Sequence, residues 1–372
     1  MARKGENIYK RKDNRWEARY IKARGENGRA IYGYCYGKTY REVKKKVLEA
    51  QVKLTQNVPI PDEKPQRTFS EYCDEWLMLC RSRVKESTYV KYLSMLEKHI
   101  KPGLGSRSPL SLTTAAIEGF SYGLLHEKGL SVKSVRDILT VLHGILRYIR
   151  RQDPRMPGIE VIYPKEEKRE MRVLSVQEQE VFSRYLLKDM DESKFGVLLA
   201  MMTGMRIGEI CALRWGDVDL NEKTIHVRHT MQRIRNTAPG GDGKTKICIT
   251  APKSKRSVRD IPITQYTAEL CAHWQEKDSA AFLLTGSKER FMEPRRLQYK
   301  MRQYTGACGL ENVHFHTLRH TFATRCVEVD FEIKSLSEIL GHSSSTVTLE
   351  RYVHSSMELK RSNMNKLSKL LP

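Results

Sequence analysis

Two proline-containing segments interrupt the sequence and limit what the chain can fold into. Residues 57–65 contain three prolines, which block helix continuation and favour an extended connector. Residues 151–172 contain three more prolines, many charges and no periodic apolar face, which is typical of a second linker. We therefore expect three folded units, at residues 1–56, 66–150 and 173–372, and the chain is long enough for each to bury a core.

Residues 1–56 show the pattern of a small antiparallel sheet followed by one helix. Aromatic and β-branched runs flank the turn-forming Gly-Glu-Asn-Gly sequence at residues 25–28. Thr39 and Glu42 have capping-box spacing, which predicts a helix from about residue 40 to residue 56.

After residue 66 the apolar residues change to helical spacing, in four successive segments. The last of these, residues 131–150, places Val135 and Ile138 on one apolar stripe. Pro102 and the glycine after it are expected to end the second helix. Such stripes form cores, so the sequence predicts a four-helix unit over residues 66–150.

Residues 173–372 begin with a second capping box, formed by Ser175 and Glu178. An apolar helix near residues 195–202 is expected to stop at the glycine at 204. Three strand-like runs follow, at residues 224–230, 246–251 and 258–263. The rest of the unit has helical spacing. We therefore predict a multidomain α+β chain with a sheet-plus-helix unit, a four-helix unit and a mostly α unit that contains a small antiparallel sheet.

The charge of the chain calls for a polyanionic partner. Lysine and arginine total 66 against 44 acidic residues, which gives a formal net charge of +22, and the excess extends along most of the sequence. A field of this sign attracts DNA, RNA or anionic membranes. A basic protein without a nucleic-acid role is the alternative.

Cysteine spacing and hydropathy exclude several other classes of protein. The eight cysteines contain no Cys-x-x-Cys pair, which argues against a zinc ribbon and a dithiol redox site. No segment has the apolar length of a secretion leader or a bilayer span, so we expect a cytoplasmic protein.

Two short motifs place cations on helices. In the first, a glycine turn delivers Arg206 at a helix start with Glu209 one turn later, so the arginine can face a ligand while the glutamate steadies it. A purely structural Arg–Glu pair is the alternative. In the second, helical spacing places His316, Arg319 and His320 on one side of a helix, where their donors can point at one anion.

Metal binding is the alternative for the histidines. His314, His316 and His320 could be ligands, but no carboxylate or cysteine close by completes a familiar site. We therefore expect no metal ion.

Three further residues indicate a function only when they are considered together with the motifs above. His342 follows a helix-ending glycine, and Tyr352 comes ten residues later. Lys253 lies in the turn between two strand-like runs, with Lys255 as a local competitor for the same role. Taken singly, such residues usually pack, cap or face solvent.

The ordered set resembles the active-site signature of the tyrosine recombinases. Its members are Arg206, Lys253, His316, Arg319, His342 and Tyr352. The resemblance covers nearly the whole chain. Residues 1–56 resemble the arm-type DNA-binding domain of conjugative-transposon and phage integrases, residues 66–150 the helical, SAM-like core-binding domain, and residues 173–372 the catalytic domain.

The resemblance implies a site-specific recombinase of a mobile genetic element, which cuts and rejoins DNA during integration and excision. Tyr352 would be the nucleophile and would form a 3′-phosphotyrosyl intermediate. A phenol is mostly protonated at neutral pH and needs a base, and His316 is the candidate. Lys253 would protonate the departing 5′ oxygen. No cofactor is needed for this exchange of esters.

The remaining members of the site would stabilise the phosphate. Arg206 and Arg319 would each fork onto its non-bridging oxygens, and His342 would hydrogen-bond it from the far side. Glu209 and His320 are expected in supporting positions.

The implied partner is double-stranded DNA with core-type and arm-type sites, bound by a homotetramer with the help of an excisionase or DNA-bending protein. A tail helix predicted at residues 357–371 packs either on its own domain or on a neighbouring subunit. A type IB topoisomerase and a non-catalytic sequence-specific DNA-binding protein are the alternatives. The separate basic N-terminal unit argues against the first, and the catalytic set against the second.

Overall fold

The structure is a computed structural model. It describes residues 7–24, 29–56, 67–167, 171–237, 243–252, 255–342, 344–352, 361 and 364–365. Four predicted features lie outside these residues: the turn at 25–28, the connector at 57–65, Lys253, and most of the tail helix at 357–371.

The chain divides into two compact units. One comprises Met1–Trp76, His99–Ser121 and Leu142–Val161, and the other comprises Leu77–Lys98, Tyr122–Val141 and Ile162–Pro372.

The N-terminal part of the first unit is a sheet covered by one helix, as the sequence predicts. An antiparallel sheet has the order β1-β2-β3, and the helix α1 follows it. The elements are β1 (Ile8–Lys10), β2 (Trp16–Arg24), β3 (Ala30–Gly37) and α1 (Tyr40–Gln56). Ile8, Ala18 and Val43 form its buried centre, because α1 lies on one face of the sheet. Thr39 caps α1 by accepting a hydrogen bond from the Glu42 amide at 3.2 Å.

The next part of the chain is helical from residue 69 to residue 152, apart from short connections. Its helices are α2 (Phe69–Arg81), α3 (Glu86–Met95), α4 (Lys101–Leu104), α5 (Thr114–His126) and α6 (Val132–Gln152). The second helix ends close to the predicted position at Pro102 and the glycine after it. A π-helical turn at Leu96–Ile100 continues α3 directly into α4, and this helical run ends at Leu104.

The C-terminal part of the second unit contains the largest core. Its helices are α7 (Val176–Leu187), α8 (Glu192–Thr203), α9 (Ile207–Ala212), α10 (Gln265–His273), α11 (Pro294–Ala307), α12 (Phe315–Glu328), α13 (Ile333–Leu340) and α14 (Ser345–Tyr352). The capping box of Ser175 and Glu178 opens α7 as predicted. Helix α8 is buried along almost its whole length, and Asp191 caps its first turn.

The strands of this part form a three-stranded antiparallel sheet of order β4-β5-β8 and a hairpin of β6 and β7. They are β4 (Val218–Asp219), β5 (Thr224–Val227), β6 (Thr230–Arg235), β7 (Thr245–Thr250) and β8 (Arg259–Pro262). The single strand predicted over 224–230 is therefore wrong. The strand ends at Val227 and a new strand begins at Thr230. The first, β5, pairs with β8, and the second, β6, pairs with β7. Among the described helices, none combines the length and apolar character needed to cross a bilayer.

Candidate active site

A left-handed glycine delivers Arg206 to the site. Helix α8 ends at Gly204, whose φ of +64° favours glycine, and a Cβ there would lie 2.5 Å from the ring of Phe322. The chain then turns, and Arg206 becomes the N-cap of α9. Its guanidinium donates to Glu209 at 2.7 Å and to the Gly341 carbonyl at 3.4 Å. One third of the side chain stays exposed, so the guanidinium can also donate hydrogen bonds to a ligand.

Arg319 enters the same place from α12 and is only 3% exposed. Its guanidinium donates to the Gly204 carbonyl at 2.9 Å and to the Leu340 carbonyl at 2.5 Å. Burial, followed by the positive charge of Arg206, lowers the pKa of Arg319 to about 9. The group therefore remains a cation at neutral pH, and its partly desolvated charge can attract an anion strongly.

A buried ion pair between Glu209 and Arg259 supports Arg206. Glu209 is 2% exposed and accepts hydrogen bonds from Arg259 at 2.8 and 3.0 Å, while Arg259 also donates to the Ile339 carbonyl. Burial alone would raise the pKa of Glu209, but the hydrogen bonds and charge of Arg259, together with Arg206, lower it to about 2. Glu209 is thus a fixed anion between two cations.

Sequence reasoning missed Arg259. It stands in a basic stretch in which lysines and arginines alternate with serine, and nothing in composition separates it from its neighbours. The available signal was the strand period: Arg259 and Ile261 face inward on β8, while Asp260 faces solvent.

His342 follows a second left-handed glycine. Gly341 ends α13 with a φ of +64°, and the backbone then turns His342 towards α14. The His342 Nδ1 lies 2.8 Å from the Thr348 hydroxyl, and its ring is parallel to that of Tyr352 with centroids 6.2 Å apart. The short α14 is therefore tied to the end of α13 close to the two arginines.

Tyr352 lies inside this cluster and is 6% exposed. Its ring packs with Ala323, Leu336 and Leu340, and its hydroxyl lies 2.8 Å from Nδ1 of His320. His316, one helical turn before His320, is exposed and has its ring centroid 5.7 Å from that of His320.

The structure thus brings seven of the eight predicted site residues into one cluster. They are Arg206, Glu209, His316, Arg319, His320, His342 and Tyr352. The eighth, Lys253, lies outside the described residues, as does the side chain of Lys255. The backbone just before Lys253 is held by Lys85, whose Nζ donates to the carbonyls of Ala251 and Pro252 at 2.8 and 2.9 Å.

The donor set favours anion binding over metal binding. Within the described ranges, no group of three or more His, Cys, Asp or Glu side chains is arranged to hold a metal ion. The only carboxylate in the cluster as described, that of Glu209, is already paired with arginine.

Comparisons with known proteins identify the family of the chain. The profile described as the phage integrase family matches residues 161–358, and the profile of the phage integrase N-terminal SAM-like domain matches residues 68–121. A XerC-like tyrosine recombinase of Caldanaerobacter subterraneus subsp. tengcongensis is 26% identical over 89% of this chain and 90% of its own. The ICEBs1 integrase of Bacillus subtilis is 25% identical over 88% of this chain and 90% of its own.

Solved structures agree with the predicted fold class. The Tn1549 transposon integrase in complex with a circular intermediate DNA matches with a TM-score of 0.64 and 23% identity, over 80% of this chain and 99% of that one. The lambda integrase tetramer bound to a Holliday junction matches with a TM-score of 0.56 and 19% identity, over 91% and 96%. At these identities the structural matches establish the fold alone.

The fold and the relatives define the class of the protein, which is a tyrosine recombinase. Because the first profile spans more than half of the sequence, the chain belongs to the phage integrase family. It is a site-specific recombinase of a mobile genetic element. The predicted family and fold class are confirmed, and the topoisomerase and the non-catalytic binding protein are set aside.

Proposed function

We propose that this recombinase binds double-stranded DNA and cuts it at a site built from one protomer, with Tyr352 as the nucleophile. The turn at residues 340–342 carries the proposal. Arg319 donates to the carbonyl of Leu340, Arg206 donates to that of Gly341, and the ring of Tyr352 stacks on His342. Two guanidinium groups and a phenol that meet at one turn can act on one phosphodiester.

Strand cleavage is an exchange of esters. The phenol oxygen of Tyr352 attacks phosphorus, the bond to the 5′ oxygen breaks, and a 3′-phosphotyrosyl ester and a 5′ hydroxyl result. The phenolic proton passes to a base, for which the sequence favours His316, and the 5′ oxygen takes a proton from Lys253. The 5′ hydroxyl of a partner strand then reverses the reaction and completes the exchange, which serves integration and excision alike.

The two arginines would stabilise the transition state. The pentacoordinate phosphorus carries extra negative charge on its non-bridging oxygens, and preorganised cations in a partly desolvated site stabilise that charge. Arg206 offers its exposed fork, Arg319 its buried charge, and Glu209 with Arg259 keeps Arg206 in place. His342 would hydrogen-bond the phosphate, as the sequence predicts.

The rest of the chain would position the DNA. We assign arm-type binding to residues 1–56, core-type binding to residues 66–150, and catalysis to residues 173–372, joined by linkers at 57–65 and 151–172. The net charge of +22 supports extensive phosphate contact. The lambda integrase tetramer on a Holliday junction supports a homotetramer on DNA. An excisionase or DNA-bending helper protein stays a prediction from the sequence.

A covalent adduct tests the proposal. The element's end sequence can be read from DNA flanking the encoding gene, and a nicked suicide duplex carrying it traps the cleaved state. We expect a denaturation-resistant protein–DNA adduct with the wild type and none with Tyr352→Phe. A wild-type protein that binds the duplex and yields no adduct would refute the proposal.

A further inference from the structure

Three histidines lie near the nucleophile: His342 lies parallel to its ring, His320 contacts its hydroxyl, and His316 lies against His320. His320 Nδ1 lies 2.8 Å from the hydroxyl of Tyr352, which is hydrogen-bonding distance. The exposed ring of His316 lies beside the ring of His320, edge to face. The contact with the reacting oxygen therefore belongs to the histidine that follows Arg319 in the chain.

The geometry of helix α12 explains why the adjacent residues Arg319 and His320 face different groups, the phosphate site and the phenol. Consecutive residues on a helix point about 100° apart. Arg319 turns inward to the ends of α8 and α13, while His320 turns to α14. One helix can thus hold a cation for the phosphate and an imidazole for the phenol in fixed relation.

The chemistry of the contact suits proton transfer. At pH 7 only about one phenol in 1,000 is ionised, so attack is slow without a base. When Tyr352 donates, Nδ1 of His320 must be the unprotonated nitrogen, which can accept the proton. The ring of Tyr352 is held by Ala323, Leu336 and Leu340, so the hydroxyl keeps its direction towards the imidazole.

We propose that His320 is a catalytic residue that takes the phenolic proton of Tyr352 directly as the oxygen attacks phosphorus. The proposal rests on the proposed function and refines it, because the sequence favours His316 for this step. The phenol O–H bond breaks, the oxygen's electron pair forms the bond to phosphorus, and the proton stays on Nδ1 of His320. In the reverse step the imidazolium returns the proton to the leaving phenol.

Two matched substitutions and an altered nucleophile test the assignment. His320→Gln and His316→Gln are compared with wild type in single-turnover cleavage of the suicide duplex. His273→Gln, on the exposed surface of α10, is the control for the substitution itself. Each protein is also made with a fluorinated tyrosine at position 352, whose phenol is more acidic. Thermal unfolding shows whether each variant folds.

We expect His320→Gln to slow cleavage by about 100- to 10,000-fold, the usual contribution of general base catalysis. The defect should shrink with fluorination, because each unit by which the phenol pKa falls makes about tenfold more phenolate available without a base. A 5′-bridging phosphorothiolate, whose sulfur leaves without a proton, should not relieve it. A folded His320→Gln that cleaves like wild type, or faster, overturns the proposal.

Three other outcomes also overturn it. One is a His320→Gln defect that fluorination leaves unchanged, which would mean that His320 only positions the ring. Another is relief by the phosphorothiolate, which would assign His320 to the leaving group. The third is that fluorination of Tyr352 relieves a cleavage defect in His316→Gln and does not relieve one in His320→Gln. In all three the wild type still forms its adduct, so the proposed function survives, whereas failure of the wild type itself would remove both.

Discussion

The two halves of the proposed active site are built by different means. The proposed phosphate-binding half consists of four charged side chains, Arg206, Glu209, Arg259 and Arg319. The proposed nucleophile half consists of Tyr352, the two histidines that contact it, His320 and His342, and Thr348, which contacts His342. One ion pair, between Arg259 and Glu209, is buried to 8% exposure or less and anchors the first half, while hydrogen bonds, ring contacts and apolar packing hold the second. Loss of this pair should therefore lower the free energy of unfolding as well as the rate. Changes at the one-third exposed Arg206 and in the second half should mainly lower the rate.

Removal of Arg259 should have the largest effect on stability. Arg259→Met would leave the carboxylate of Glu209 buried with only Arg206 as a partner. Loss of one member of a buried pair costs about 3–5 kcal/mol. Urea unfolding measures the loss, and Lys255→Met, in the same basic stretch, serves as the control. A loss below about 1 kcal/mol, the range of surface pairs, would mean that this pair does not anchor the phosphate-binding half.

Arg206 should affect rate more than stability, because its side chain is one-third exposed. In Arg206→Lys the charge remains but the planar fork is lost. We expect cleavage of the suicide duplex to fall by about 100- to 1,000-fold, equivalent to about 2.7–4 kcal/mol. The free energy of unfolding of this variant should change little. Full activity in this variant would show that a point charge suffices and that the fork has no role.

The phosphate-binding half should also give the protein a specific acid sensitivity. The pKa of Glu209 in the folded chain is about 2 against an ordinary 4.5, so its ionised form stabilises the fold above about pH 4.5, and this contribution disappears as the pH falls towards 2. About 2 kcal/mol should be lost by pH 3. The stability difference between wild type and Glu209→Gln, followed by urea unfolding from pH 6 to pH 3, should narrow accordingly. A constant difference would contradict the depressed pKa.

The smallest effect is expected in the nucleophile half. Thr348→Val removes the hydroxyl that meets His342 Nδ1 and keeps the shape of the side chain. A single neutral hydrogen bond contributes about 0.5–1.5 kcal/mol, so cleavage should slow by about tenfold or less. Single-turnover cleavage with Thr346→Val, in the same helix, provides the comparison. A defect as deep as that of Arg206→Lys would mean that this hydrogen bond does more than position His342.

The parts of the site that the sequence predicted are those set by local geometry. The helical period places Arg319 and His320 on α12, and the glycines at 204 and 341 mark the turns that deliver Arg206 and His342. These features need no knowledge of distant residues. For the same reason the helix of residues 40–56 and the capping box at Ser175 were predicted correctly.

The features that the sequence did not reveal depend on tertiary contacts. Arg259 contacts Glu209 only because β8 pairs with β5, and the basic residues around it in the sequence give no sign of this contact. The break between β5 and β6 depends on which strands are available to pair. The choice between His316 and His320 depends on where α14 lies against α12, which the spacing within α12 cannot specify.

Mixing two inactive variants tests most directly the central claim that one protomer supplies both the arginines and the tyrosine. Tyr352→Phe retains the phosphate-binding half, and Arg206→Ala retains the nucleophile half. Combined on one suicide duplex with paired sites, they should give no more adduct than the two variants give separately, because neither protomer holds a complete site. Restored adduct in the mixture would show that Tyr352 reaches the arginines of a neighbouring protomer, which would contradict the account.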